Sequence, residues 1–266
     1  MLYFSNKTIW ITGASSGIGK ETALQLSRIK DVRLIISSRN EKKLQLVQQD
    51  CITNGARCEV LTLDLEQTNT LKEKAFKALD IFKGIDILIH NGGISQRSAV
   101  IETPIENDRK IMEIDYFSSV ILTKTILPHM VEKKSGHIVV VSSISGCFGF
   151  PLRSAYCAAK HAMYGFYESL DIEIRKHGIP VTIVSPGRIQ TNISYSALTK
   201  EGKAHGKMDE GQANGMPVET CVRKMLKAIQ KKKHEILIGN KEVLMVHFYR
   251  KIPALFHAIA KNIKPT

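Results

Sequence analysis

Apolar runs of strand length alternate with stretches of helical period along most of the chain. "KTIWIT" predicts a strand, "IGKETALQLSRI" a helix, "VRLIIS" a strand, "EKKLQLVQQDCITN" a helix and "RCEVLTL" a third strand. The alternation continues through a helix in "TLKEKAFKALDIF", a buried strand "IDILIH", one long helix in "ENDRKIMEIDYFSSVILTKTIL" and the strand "HIVVVSS". A helix in "SAYCAAKHAMYGFYESLDIEIRKH" and the strand "PVTIVS" follow. Near-continuous Val/Ile/Leu strands separated by helices predict a parallel sheet covered on both faces, so the expected fold is α/β, doubly wound and Rossmann-like. After Ser185 the pattern weakens into a polar, Gly- and Lys-rich stretch too long for an ordinary connection, and residues 191–216 are expected to be a mobile substrate loop. A helix "VETCVRKMLKAIQ" and a strand "EILIG" complete the expected domain, residues 1–240.

Residues 241–266 read as an amphipathic C-terminal extension of the same domain. Val243, Leu244, Val246, His247, Phe248, Leu255, Phe256, Ile259 and Ile263 recur near helical spacing, with Lys241, Arg250, Lys251, Lys261 and Lys264 supplying charge. Pro253 should divide the segment into two pieces. The apolar face is expected to cover the domain's own core, the substrate loop or a second subunit. A peripheral contact with an anionic membrane surface is the alternative.

Composition narrows the class. A chain of 266 residues with 43% hydrophobic residues can bury one sizeable core. No apolar run reaches the roughly 18 residues of a membrane span, and the first residues lack a basic and then apolar leader, so a cytoplasmic protein is expected. Cys51, Cys58, Cys147, Cys157 and Cys221 show no metal-ligand spacing and are expected to be reduced thiols. The net charge is +13, and from Arg223 onward eleven Lys and Arg face only Glu235 and Glu242. A solvated basic face is favoured over a nucleic-acid surface, because no helix-turn-helix, zinc-finger or RNP pattern accompanies the charge.

Chemistry enters with "TGASSGIGK", three glycines between the first predicted strand and helix. Glycine there lets the backbone approach a ligand, and a helix N-terminus offers unpaired N–H groups to an anion such as a pyrophosphate. About 20 residues beyond, where an acidic group would hold the ribose of NAD, stands Arg39 in "SSRNEKK", which favours the 2′-phosphate of NADP. Tyr156 and Lys160 share one helix face, so the ammonium can tune the phenol for proton transfer. Ser143 ends the preceding strand, on the rim where doubly wound sheets bind ligands, and could hydrogen-bond a carbonyl.

These motifs together resemble the short-chain dehydrogenase/reductase family, classical type, over about residues 5–240. "TGASSGIG" is similar to the family's cofactor turn, "LDL" around Asp64 to its adenine-side contact, "YCAAK" to its catalytic pair and "SPGRIQT" to the stretch beside the nicotinamide. The resemblance implies a hydride transfer between NADP(H) and a carbonyl/secondary alcohol pair. Tyr156 would exchange the proton, Lys160 would hold the ribose and lower the tyrosine's pKa, and Ser143 would orient the carbonyl. It further implies cofactor contacts from Gly13, Ser15, Ser16, Gly17, Ile18, Gly19, Arg39, Asp64, Leu65, Asn91, Gly92, Tyr156, Lys160, Pro186, Gly187, Ile189 and Thr191. Homodimeric or homotetrameric assembly is the family habit.

Two departures stand out. The family's NNAG is "HNGG" here, which keeps Asn91. Asp115 stands where the family usually has asparagine; the family role belongs largely to the backbone carbonyl, which survives the change, while the carboxylate adds negative charge near Lys160. Ile94, Ser95, Gly146, Phe148 and Pro151 are expected pocket walls because they follow strand ends. "NISYSALT" in the loop offers apolar and hydroxyl groups; a lipophilic substrate is favoured, with a lipid-like ketone, a steroid, a sugar and a 3-oxoacyl thioester all open. The competing reading is a non-catalytic NADP(H)-binding or sensing protein of the same fold, which retention of both Tyr156 and Lys160 disfavours.

Overall fold

The computed structural model describes residues 2–260. Its strands are β1 (Thr8–Thr12), β2 (Arg33–Ser37), β3 (Arg57–Val60), β4 (Ile87–His90), β5 (His137–Val141), β6 (Val181–Pro186) and β7 (Glu235–Ile238). They form one parallel sheet in the order β3-β2-β1-β4-β5-β6-β7. The helices are α1 (Gly17–Leu26), α2 (Glu41–Thr53), α3 (Leu71–Ile81), α4 (Ile105–Met112), α5 (Ser118–Glu132), α6 (Ser154–Ile174), α7 (Glu210–Ala213), α8 (Val218–Gln230), α9 (Leu244–Lys251) and α10 (Pro253–Ala260).

Side chains that alternate along each strand fill two cores. Ile9 and Ile11 of β1, with Val139 and Val141 of β5, pack with α1, α2 and α8. Trp10, Ile138 and Val140 point the other way, onto α3, α5 and α6. Both faces of the sheet are thus apolar, which is why its strands read as unbroken Val/Ile runs. After β1 the chain builds toward β3, then crosses to β4 on the other side of β1. The loops leaving β1 and β4 therefore diverge at the carboxyl edge and leave a crevice there.

The expected long helix over 106–127 is not continuous. A π-helical turn, Glu113–Phe117, joins α4 to α5, and both Ile114 and Asp115 are buried in it. Such turns insert a residue into the helical register and recur at functional sites. At its far end α5 runs past Pro128 to Glu132, because the buried Ile126 and Met130 keep it docked while Lys124, four residues before the proline, lies on an exposed face.

The stretch after β6 holds more structure than its composition suggests. Ile189 bridges Met216, Leu198 bridges Gln96, and α7 forms near its end. The C-terminal extension breaks at Pro253 as expected. Val246 and Phe256 are buried against Ile144 and Phe148, and Arg250 makes a forked pair with Glu235 at 3.0 and 2.7 Å. Leu244 and Leu255 remain exposed. The side chain of Ile259, and Lys261, Ile263 and Lys264, lie outside the described residues. Among the described residues no helix is long and apolar enough to cross a membrane. All five cysteines are free thiols.

Candidate active site

A cavity of about 500 Å³ opens at the carboxyl edge of the sheet. One end is the turn between β1 and α1. Gly13 has φ +65°, and a Cβ there would lie 2.6 Å from the Gly92 Cα, so only glycine fits against the β4 loop. Asn91 braces the turn: its side-chain amide donates to the Thr12 and Gly13 carbonyls at 3.2 Å each. The Thr12 hydroxyl accepts from the Asn91 and Gly92 N–H groups at 3.1 Å each. Ser16 caps α1 without a side-chain bond, so the first-turn N–H groups face the cavity as an anion site.

Of the residues expected to hold a cofactor, Gly13, Ser15, Ser16, Gly17, Ile18, Arg39, Asp64, Leu65, Asn91, Gly92, Tyr156, Lys160, Pro186, Gly187, Ile189 and Thr191 all line the cavity. Gly19 does not. A Cβ at Gly19 would strike the Gly13 carbonyl and the Asn91 amide, so the packing of the turn requires glycine there. Arg39 is 58% exposed at the cavity rim, its Nε 4.0 Å from Asp64 Oδ1.

The candidate catalytic groups converge in the middle of the cavity. Ser143 follows β5; its Oγ accepts from the Ser145 N–H at 3.1 Å and donates weakly to the Pro186 carbonyl at 3.4 Å. Tyr156 lies in the first turn of α6, with Lys160 one turn further. The Lys160 ammonium sits 5.6 Å from the Tyr156 ring centre and donates to the Val141 carbonyl at 3.3 Å. Its closest anion is Asp115, with Nζ to Oδ2 at 3.2 Å, although that oxygen lacks an aligned hydrogen bond. The other carboxylate oxygen accepts from the Ile94 N–H at 2.8 Å. Gly93 makes room for it, since a Cβ there would lie 2.8 Å from Asp115 Oδ2.

The electrostatics follow from this burial. Burial alone would pull the Lys160 ammonium down, but the Asp115 carboxylate and Tyr156 outweigh it and hold the ammonium above its ordinary value. Burial pushes the Tyr156 phenol above its usual value, Lys160 and the Ser143 hydroxyl oppose that shift, and Asp115 reinforces it. The lowered phenol that the Tyr156–Lys160 spacing predicts is therefore not found, because desolvation is a larger effect than the lysine charge. His90, the first residue of "HNGG", is buried against the Thr123 hydroxyl at 2.8 Å and is pushed down to about 3, hence neutral.

Some groups were not foreseen. Gly146, Phe148 and Pro151 are absent from the cavity wall, whereas Ile94 and Ser95 are on it. Phe148 turns away to meet the C-terminal helices, and Phe150 lines the cavity in its place. The cavity wall also includes Arg97, Arg153 and Asp209, and Glu242 and Met245 from the C-terminal extension. Arg97 Nε donates to both Asp209 oxygens, at 3.3 and 3.0 Å, and its Nη2 binds the same carboxylate. No local spacing signals that pair, whose members are 112 positions apart.

A glycine-lined crevice at the carboxyl edge of a doubly wound sheet, with a buried tyrosine and lysine beside it, is the arrangement of a nucleotide-binding oxidoreductase. The short chain dehydrogenase family profile matches residues 7–202. This chain belongs to the short-chain dehydrogenase/reductase family. It is 39% identical over 255 residues to Dehydrogenase/reductase SDR family protein 7-like from Drosophila melanogaster, covering 94% of this chain and 78% of that protein. A short chain dehydrogenase/reductase from Burkholderia phymatum, solved in complex with NAD, shares the fold with TM-score 0.84 at 20% identity, over 100% of this chain and 98% of that one. A metagenomic short-chain oxidoreductase solved with NADP matches with TM-score 0.73 at 21% identity, over 89% and 98% of the two chains.

Proposed function

We propose that the protein transfers hydride between NADP(H) and a carbonyl/secondary alcohol pair, with Tyr156 as general acid and base and a lipophilic compound as substrate. The observation that carries this reading is the meeting of Ser143, Tyr156 and Lys160 on one cavity whose other end is the bare N-terminus of α1. The glycine cradle and that helix end fit a pyrophosphate, and Arg39 fits a 2′-phosphate. When bound, the nicotinamide supplies or accepts the hydride. Tyr156 gives its proton to the carbonyl oxygen as the alcohol forms, Ser143 holds that oxygen, and Lys160 offers its charge to the phenol and its N–H donors to the ribose. Asp115 keeps Lys160 in place. Ile94, Ile144, Phe150, Ile193 and Met245 give the cavity an apolar wall that suits a lipophilic body.

The raised phenol favours the protonated form, which is the form reduction needs. Reduction is therefore expected to stay level through neutral pH and decline only above the ordinary phenol value of about 10, while oxidation climbs with pH over the same range. Profiles of kcat/KM in both directions test this; a reductive decline near neutrality would contradict it.

Arg39→Asp is expected to weaken NADPH at least about tenfold relative to NADH, because it replaces a charged phosphate partner with a like charge beside Asp64. Fluorescence titration with both cofactors checks this, and equal weakening would remove Arg39 as the selector. The exposed Phe117 and Ile172 beside α5 and on α6 support assembly into a homodimer or homotetramer. Burial of Val246 and Phe256 supports a structural role for the C-terminal extension over a membrane anchor.

A further inference from the structure

Besides Arg39, Asp64, Asp115 and Lys160, the cavity wall carries three cations, Arg97, Arg153 and Arg188, and two anions, Asp209 and Glu242. These five do not share the charge evenly. Arg97 and Asp209, each 4% exposed in the side chain, hold one another. The remaining Arg97 donor, Nη1, is used by the Ser95 hydroxyl at 2.9 Å and the Gln96 carbonyl at 2.5 Å. Every Arg97 nitrogen is thus engaged. Arg153 is not: its side chain reaches Asp209 through Nη2 alone, at 3.2 Å, and lies across the Phe150 ring at 5.3 Å. Its Nε and Nη1 have no protein partner among the described residues, although the side chain is only 16% exposed. Burial and the neighbouring Arg97 both press against its charge, so Asp209, divided between two guanidinium groups, leaves it under-compensated.

Position gives this free donor set a purpose. Arg153 is the residue that caps the N-terminus of α6, three positions ahead of Tyr156. Both side chains line the same cavity, and Tyr156 is near enough to bear on the Arg153 charge, so one molecule can present an anionic group to Arg153 and a carbonyl to Tyr156. A planar guanidinium with two open N–H directions matches a carboxylate or phosphate, which can accept two parallel hydrogen bonds.

Building on the reductase reading above, we propose that Arg153 is a specificity residue that recognises an anionic oxygen group, carboxylate or phosphate, carried by the carbonyl substrate a short spacer from its reacting carbon. The Arg97–Asp209 pair fixes the guanidinium in place, and the apolar wall takes the rest of the molecule. The substrate is then amphipathic: an apolar body with one acidic group.

The test uses the full chain with NADPH and two matched substrate pairs. One is a medium-chain γ-keto fatty acid against its methyl ester; the other is the phosphate monoester of a γ-keto alcohol against the free alcohol. The wild-type protein should favour the anionic member of at least one pair by about tenfold or more in kcat/KM, and which pair discriminates more tells carboxylate from phosphate. Arg153→Met should reduce that preference by a similar factor, and Arg153→Lys should restore part of it. Calorimetry of decanoate and of decanol with protein saturated with NADP+ supplies a readout without turnover, in which Arg153→Met should weaken decanoate selectively. Turnover of the ketones with the same preference in wild type and Arg153→Met would overturn the proposal and leave the reductase reading standing. Arg153-dependent decanoate binding with no turnover of any ketone would support the anion subsite and overturn the reductase reading instead. A lowered melting temperature in Arg153→Met would be separated from lost recognition by Arg153→Lys, which keeps the charge beside Asp209; loss of preference only in a variant that also melts early would count against the proposal.

Discussion

Tyr156→Phe is expected to lower turnover by about 10²–10⁴-fold while NADP(H) binding survives, because the change removes a proton donor and almost no volume. The ring would still pack beside the Lys160 ammonium, which sits 5.6 Å from its centre. Lys160 would not be orphaned by the change, since Asp115 at 3.2 Å and the Val141 carbonyl at 3.3 Å still hold it. Cofactor affinity and catalysis should therefore separate cleanly. Single-turnover NADPH oxidation paired with a fluorescence titration measures both. Near wild-type turnover would remove Tyr156 from the mechanism and favour a binding protein of the same fold.

Lys160→Ala should cost both activity and stability, and the second loss has a source outside catalysis. Asp115 is 1% exposed, and without the ammonium its carboxylate keeps only the Ile94 N–H as a donor. Breaking one side of a buried ion pair typically costs about 3–5 kcal/mol. In a chain of this size that corresponds to a fall in melting temperature of roughly 10 °C. Adding Asp115→Asn to Lys160→Ala removes the stranded charge, so the double variant should regain most of the stability and none of the activity. Thermal melts of the two single variants and the double variant test the point. Wild-type melting of Lys160→Ala would mean that Asp115 finds another partner or a proton.

What was legible in the sequence was local. The glycine turn, the Tyr156–Lys160 pair and the strand-ending Ser143 each depend on short spacings, and the alternation of strands and helices gave the doubly wound sheet. Long-range and register-dependent features were not legible. Arg97 and Asp209 meet only because the loop after β6 folds back over the strand edge, and neither residue's neighbours foretell the partner. The π-helical turn at Asp115 hides inside a run whose apolar spacing reads as one helix. The motif marks Gly19 by its spacing, but the need for its small size, set by Gly13 and Asn91 behind the turn, shows only in three dimensions. Phe148 follows a strand end as a pocket residue would, but nothing local reveals that α10 lies waiting to bury it.

The C-terminal extension closes on the cavity through Glu242 and Met245, while the glycine turn, Arg39 and Asp64 line the cofactor end from the first quarter of the chain. These stretches are far apart in sequence, yet the extension also reaches the expected cofactor contact Gly187: Glu242 packs against it and accepts from the Arg188 N–H at 2.9 Å. Exchanging residues 241–260 between relatives would therefore remodel the cavity wall at Met245 and, through Glu242, the support of Gly187 and Arg188 as well. A change made in this extension would then be felt at both ends of the cavity, and descendants of this chain would inherit the two as coupled traits.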